Sequence, residues 1–345
     1  MKTKPMTKFA ILALSLVLVA CAGGGSEEAG CPAIDGREIN VVATTPMIGE
    51  FVSQVGGENI NLTVLMPPEA NPHTYEPAPQ DAGTIAEADL VFYTGLLYEP
   101  AALVKLLENS ACSTDILSEV GESVFPIEFK EGGHDDHDDH DDEEGHDDHD
   151  DEEGHDDEEG HDDHEGHNHG AYDPHFWFDP SRVAYAAEYI ESRLIQFDPE
   201  NESSYKSSAD SFVSELNDLT KQVSELISTV PSQNRKLITT HESLGYLEAK
   251  FGLEVLSTII PSLNSANEIS PSDLAGVIDV IEDNNVKVIF IESEAPSVYS
   301  ETIVAETGIK PVTGLYVETL KPGQSYSEFL ISNVKLITEN LQDTD

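Results

Sequence analysis

Short apolar runs alternate along the chain with stretches in which apolar residues recur at steps of three and four. Apolar runs bounded by turn residues predict buried β-strands, and the three-and-four spacing predicts amphipathic helices. The predicted strands span residues 39–43, 60–65, 90–93, 236–240, 254–259 and 287–291, and helix patterns between them span 46–55, 100–109 and 270–284. This alternation predicts an α/β fold with parallel sheets built from βα repeats.

A much longer helical pattern spans residues 205–230, with no Gly or Pro before Pro231. Asp198 followed by Pro199 is a start signal for it. The pattern separates a first group of βα repeats from a second. We therefore predict two lobes joined by one long rigid helix, and a cleft between two lobes is a common place for a ligand site.

The N-terminus has the pattern of a secretory signal. Lys2, Lys4 and Lys8 precede an apolar run over residues 9–20 that is too short to span a bilayer. Residues 18–21, Leu-Val-Ala-Cys, resemble the lipobox of bacterial lipoproteins, in which Cys21 is lipidated and becomes the mature N-terminus. The resemblance implies an exported protein, lipid-anchored to the outer face of the cytoplasmic membrane or in the periplasm, that meets the membrane only through its anchor.

These signals divide the chain into five segments. We expect a lipoprotein signal peptide over residues 1–20, a flexible tether over 21–35 and an N-terminal α/β lobe over 36–198. A connector helix over 199–230 and a C-terminal α/β lobe over 231–345 follow. Within the first lobe we expect a disordered, metal-binding His/Asp-rich loop over 131–170.

The centre of that loop, residues 134–169, contains ten of the thirteen histidines and 21 of the 67 acids, without any apolar residue, Lys or Arg. Imidazole binds zinc, copper, nickel and iron, and carboxylates suit harder cations, so we predict several low-affinity metal sites there. A solvated acidic linker is the alternative. The histidines are His134, His137, His140, His146, His149, His155, His161, His164, His167 and His169.

The remaining chain is also acidic. Without these 21 acids the formal charge of −50 becomes −29. A negative charge of this size argues against nucleic acid as a partner and favours cations.

Two further cysteines, Cys31 and Cys112, follow Cys21. An oxidising exterior permits a disulfide between them. Two separate buried thiols are the alternative, because two cysteines have no spacing signature.

Only His73, His175 and His241 lie outside the His/Asp-rich loop, and each is predicted in a loop. In α/β folds, ligands gather beyond the carboxyl ends of parallel strands. The three imidazoles are therefore predicted to face one cleft, where an oxygen donor would complete a tetrahedral zinc site.

The segments around these histidines resemble the motifs of one family. MPPEANPHTYEP resembles its PGADPHTYEP segment, DPHFWFDP its DPHxWLDP segment, and THESLGYLEAKFGL its HxAFxYFxxxYGL segment. This family is the cluster A-I substrate-binding lipoproteins of bacterial ABC metal importers, whose zinc members carry a His/Asp-rich loop between the first two histidines. The resemblance covers nearly the whole chain from residue 39 onward.

The resemblance implies that His73, His175 and His241 are metal ligands. The family's fourth ligand is an acid near the C-terminus, where GLYVETLKPG contains Glu318. Manganese binders of the family tend to have a carboxylate at the position of His241, so an imidazole there favours zinc.

The chain also departs from the family pattern. Glu69 and Asn71 replace Gly and Asp beside His73, and Glu318 replaces Asp. Glu292, Glu69 or water are therefore alternatives for the fourth ligand.

Four neighbours of the histidines have two interpretations each. Trp177 and Tyr75 either shield the metal from solvent or pack in the core, and core packing is favoured for Trp177. Asp173 and Asp179 either accept a hydrogen bond from the second ring nitrogen of His175 or cap a helix.

As a whole, the resemblance implies a monomeric lipoprotein, not an enzyme, that captures Zn²⁺ as its transported ligand and delivers it to an ABC permease and its ATPase. A manganese or iron importer component and a metal-dependent adhesin are the alternatives. A zinc hydrolase is disfavoured, because Gly245 occupies the place of the second histidine of HExxH and four protein ligands would leave no open position for water.

Overall fold

A computed structural model of the chain describes residues 31, 34, 36–129, 172–294 and 298–342. The signal peptide, Cys21, most of the tether and the His/Asp-rich loop lie outside the described residues. Within the described part, no helix combines the length and apolar character needed to cross a bilayer.

The first lobe is built on a four-stranded parallel sheet. Its strands are β1 (Ile39–Ala43), β2 (Ile60–Val64), β3 (Leu90–Tyr93) and β4 (Leu117–Glu119), in the order β2-β1-β3-β4. Its helices are α1 (Pro46–Gly56), α2 (Pro79–Ala86), α3 (Ala101–Ser110) and α4 (Pro180–Phe197). The parallel pairing confirms the predicted α/β class.

The ends of α1 show why the sequence forms a helix there. The Thr45 side chain accepts a hydrogen bond from the backbone N–H of Ile48, and Pro46 occupies the first turn, where a missing N–H costs nothing. The helix stops at Gly57, whose φ of 56° lies in the left-handed region that glycine tolerates.

The long helix α5 (Glu202–Ser228) has 27 residues and is therefore about 40 Å long. It begins three residues before the apolar pattern, directly after a 3-10 turn over Pro199–Asn201. Its buried face comprises Tyr205, Ala209, Phe212, Leu216, Leu219, Val223 and Ile227. The helix packs against α1, α4 and the C-terminal helix, Tyr326–Gln342.

The second lobe has two parallel strand pairs. Strand β5 (Lys236–His241) pairs with β6 (Glu254–Ile260), and β7 (Val288–Glu292) pairs with β8 (Lys310–Leu315). The N–H of Glu292 donates to Thr240 Oγ1, so β7 lies beside β5. The helices are α6 (Gly245–Phe251), α7 (Pro271–Asp283), α8 (Val298–Thr307) and α9 (Tyr326–Gln342).

One hydrophobic cluster extends through both lobes. It includes Val41 and Phe92 of the first sheet, Phe212 of α5, and Phe290 and Phe329 of the second lobe. Because the same packed core contains side chains of both lobes and of α5, the lobes meet through close-packed side chains.

The structure contains a disulfide between Cys31 and Cys112. It links the segment before β1 to the residues that follow α3, 81 positions apart in sequence. Of the two alternatives left by the sequence, the described structure has the bridged form.

Candidate metal centre

Four side chains from separate parts of the chain meet between the lobes. His73, His175, His241 and Glu318 each place one nitrogen or oxygen within 4.8 Å of the corresponding atoms of the other three. The first lobe supplies two imidazoles, and the second supplies one imidazole and the carboxylate. All four residues predicted from the sequence are thus brought together.

His73 lies on a 3-10 turn over Pro72–Thr74, beyond the end of β2. Prolines restrict the backbone of the approach to this turn. The Asn71 side chain accepts a hydrogen bond from the N–H of His73 at 2.9 Å and so begins the turn. On one side, the His73 ring contacts the edge of Tyr98, with ring centroids 5.0 Å apart.

His175 is held by its own loop. Asp173 Oδ1 lies 2.8 Å from both the backbone nitrogen and the ring Nδ1 of His175, which leaves Nε2 for the centre of the cluster. Trp177, two residues further along, donates its indole N–H to the backbone oxygen of Val317 at 2.8 Å. This bond ties the His175 loop to the segment that contains Glu318.

The structure decides between the two roles predicted for each of the residues near His175. Asp173 is the partner of His175, whereas Asp179 caps α4 by accepting from the N–H of Ser181. Trp177 is fully buried and also touches the His175 ring, so it packs in the core at the edge of the site.

His241 is the last residue of β5 and is fully buried. The sequence placed it just after the strand, and the structure corrects this by one residue, because the pairing of β5 with β6 continues to His241 and Ile260. Its ring Nδ1 lies 2.5 Å from Glu292 Oε2, at the end of the neighbouring β7. Glu292 thus lies behind the imidazole as its partner and does not belong to the four-residue cluster.

Glu318 follows β8 and is almost completely buried. Its Oε1 lies 3.0 Å from His73 Nε2 and 3.1 Å from His241 Nε2, and its Oε2 lies 3.5 Å from His175 Nε2. The Tyr98 hydroxyl donates to Glu318 and lies 3.0 Å from both its Oε2 and its backbone oxygen.

The sequence interpretation missed Tyr98. It follows the buried strand β3, so the rule that gathered the histidines beyond strand ends could also have included it.

Two other sequence candidates lie elsewhere. Glu69 is exposed, with a left-handed φ of 64°, and is not part of the cluster. Tyr75 donates its hydroxyl to Asp81 at 2.9 Å within the first lobe, and burial raises its pKa to about 12.

The cluster is strongly coupled electrostatically. Burial disfavours the charged forms of His175 and His241, but hydrogen bonds and attraction to Asp173, Glu292 and Glu318 outweigh it and raise the pKa of both imidazoles. Burial likewise opposes ionisation of Glu318, yet attraction to the histidines holds its pKa well below the usual value. A divalent cation would replace protons as the positive partner of this carboxylate.

A buried acid lies next to the cluster. Glu294 Oε1 accepts from the backbone N–H of Val317 at 3.3 Å and from that of Glu318 at 3.4 Å. Burial, followed by repulsion from Glu318 and Glu292, raises the pKa of Glu294 to about 8. This carboxyl is therefore mostly neutral at pH 7.

Residues 41–340 match the family of the zinc-uptake complex component A, periplasmic. The chain belongs to this family. Its members are substrate-binding proteins of metal ABC transporters, so this protein is the binding component of an importer, with a permease and an ATPase as partners, and not an enzyme.

Relatives and solved structures agree with this assignment. The chain is 26% identical to the manganese ABC transporter substrate-binding lipoprotein PsaA of Streptococcus anginosus, over 98% of this chain and 99% of that protein. It is 27% identical to the high-affinity zinc uptake system protein ZnuA of Bacillus subtilis, over 96% of each.

Among solved structures, the periplasmic zinc binding protein TroA from Treponema pallidum superimposes with a TM-score of 0.72, covering 88% of this chain and 99% of that one at 20% identity. Fe(III)-bound YtgA from Chlamydia trachomatis has a TM-score of 0.70 at 25% identity, covering 88% of this chain and 98% of that one. The fold is therefore shared by proteins whose names mention manganese, zinc or iron.

Proposed function

We propose that the protein captures Zn²⁺ at His73, His175, His241 and Glu318 and delivers it to its permease and ATPase. The observation that supports this most directly is the donor set, three imidazoles and one carboxylate that converge from both lobes. Zinc takes four ligands of this kind in a tetrahedral arrangement.

The same donor set argues against manganese as the preferred cargo. Manganese favours carboxylate, carbonyl and water oxygens in an octahedral arrangement, whereas imidazole suits zinc. The neighbouring acids Asp173 and Glu292 already lie against Nδ1 of His175 and His241, so each supports an imidazole instead of adding an oxygen to the cluster. The names of the relatives, which include manganese and iron, keep those metals as the alternative cargo.

Two parts of the proposal rest on the sequence. Cys21 would anchor the protein by its lipid outside the cytoplasmic membrane, in line with relatives named as lipoproteins. The ten histidines of residues 134–169 would hold zinc weakly and raise its local concentration near the cleft.

Titration calorimetry with zinc, manganese and nickel tests the proposal on the lipid-free chain, with and without residues 134–169. We expect one tight zinc site in both forms and several weak sites only in the form that retains the loop. The tight site should disappear in a His73→Ala/His175→Ala/His241→Ala variant. Loss of tight binding on loop deletion, or a preference for manganese, would contradict the proposal.

A further inference from the structure

The Asn71 side chain makes hydrogen bonds on both sides of the cleft. Its Oδ1 accepts from the N–H of His73 in the first lobe. Its Nδ2 donates to Ser265 Oγ at 3.0 Å and to the backbone oxygen of Glu294 at 3.2 Å, both in the second lobe. One amide therefore connects the turn that bears His73 to the opposite wall.

We propose that Asn71 is a positioning residue that latches the His73 turn to the second lobe and slows release of the bound metal. This inference rests on the proposed function, since it requires a cation at the four-residue cluster. The two bonds from Nδ2, to Ser265 and to the Glu294 carbonyl, are called the latch below.

The surroundings favour an amide over the Asp found in the family segment that this stretch resembles. The Glu294 carbonyl oxygen can only accept a hydrogen bond, so it needs a donor opposite. A carboxylate at position 71 would face that oxygen without a hydrogen to donate to it, so the bond across the cleft would be lost. Asn has the acceptor that the turn needs and the donor that the opposite wall needs.

His73 is also well placed to move. It lines a cavity of about 610 Å³ together with Tyr98 and Asn264, whereas none of the other three members of the cluster lines it. Asn264 directly precedes Ser265, so the wall to which the latch is attached is also a wall of this cavity. Opening the latch would let the His73 turn move away from the cluster on the side of the cavity.

The test measures zinc release from the loaded, lipid-free full chain into excess chelator by stopped flow. Asn71→Ser keeps an oxygen that can cap the turn but is too short to reach across the cleft. Loss of two hydrogen bonds should speed release roughly ten-fold. Ser265→Ala removes one of the two acceptors and should speed release about three-fold.

Two further variants separate the latch from a general loss of packing. In the double variant Asn71→Ser/Ser265→Ala, release should be no faster than in Asn71→Ser alone, because the bond is already absent. Asn59→Ser is the matched control, since Asn59 donates to Ser204 Oγ at 2.8 Å away from the cleft. It should release zinc at the unmodified rate.

Cobalt(II) bound in place of zinc supplies a spectroscopic signature. The visible absorption band should be the same in the unmodified protein and in Asn71→Ser, because all four donors remain. A shifted band would mean that Asn71 shapes the ligand set itself, and it would overturn the latch.

The outcomes also distinguish this inference from the proposed function. If the unmodified protein retains no zinc, the proposed function fails. If it retains zinc but both Asn71→Ser and Asn71→Asp release it at the unmodified rate, the latch alone is wrong. Multiplicative effects of Asn71→Ser and Ser265→Ala would overturn it as well.

Discussion

The imidazoles of the cluster are held in two different ways. His175 and His241 are fully buried, and each has a carboxylate at its Nδ1, from Asp173 and Glu292 respectively. His73 instead depends on a capped turn, on the edge of Tyr98 and on the latch described above. The comparison teaches that His175 and His241 form a fixed wall of the site, because buried acids orient both rings. The position of His73 depends instead on the closure of the cleft.

Removing a ligand from the fixed wall should have the largest effect. We expect His175→Ala and His241→Ala to weaken zinc binding by more than the roughly 100-fold that loss of an outer partner costs. His73→Ala should weaken it too, and should also speed release more than it slows capture. Competition with a chromogenic chelator measures affinity, and stopped flow measures both rates. If release is accelerated and capture is slowed in the same proportion in all three variants, the proposed distinction is wrong.

The pH dependence should be the next largest effect. The pKa values of His175 and His241 are raised above 6.5, the ordinary pKa of histidine, so both imidazoles still hold protons above pH 6.5. Zinc must displace these protons, so its affinity should fall as pH decreases through neutrality, by up to about 100-fold per pH unit where two protons are displaced. Calorimetry in buffers of different ionisation enthalpy counts the protons released.

A control for this titration is Asp173→Asn, which removes an acid that raises the pKa of His175. Its affinity should begin to fall at a lower pH than that of the unmodified protein. A zinc affinity that stays constant between pH 7.5 and pH 5 would count against a histidine site.

The carboxylates behind the fixed wall should matter less than the ligands. Asp173→Asn and Glu292→Gln should each weaken zinc binding by about 10- to 100-fold, because the imidazole loses the partner that orients it. Glu69→Gln is the matched control, since Glu69 is exposed and lies outside the cluster. Calorimetry measures the zinc affinity of all three variants. A large loss of affinity only in Glu69→Gln would mean that the fourth ligand has been misassigned.

The smallest effect is expected at Tyr98. Tyr98→Phe removes one hydrogen bond to the Glu318 carboxylate but keeps the ring against His73. A loss of about three- to ten-fold in zinc affinity would match one bond of this kind. A loss as large as that of Glu292→Gln would place Tyr98 with the fixed wall.

Most of the strands were predictable because buried parallel strands form continuous apolar runs. The ranges 39–43 and 90–93 match β1 and β3, and those for β2, β5 and β6 differ by one residue at one end. The range 287–291 is shifted by one residue relative to β7. Strand β4 was missed because it has only three residues, and β8 because Pro311 interrupts its apolar pattern. A proline is tolerated there, since β8 pairs only with β7 among the described strands.

Helix α9 was also missed, although its buried residues Phe329, Leu330, Val334, Ile337 and Leu341 have helical spacing. That pattern is local, so the sequence could have predicted it.

By itself, the sequence determined the α/β class, the two groups of repeats on either side of α5, and the three histidines that it predicted to face one cleft. These features depend on local periodicity and on residue type, which can be seen without coordinates. Tertiary structure decided between the acids that the sequence left open, since it places Glu318 among the imidazoles and Glu292 behind His241. It alone showed that Asn71 reaches Ser265. Each of these depends on distances between segments far apart in the chain, and an acid has the same chemistry whether it faces a metal or the back of an imidazole.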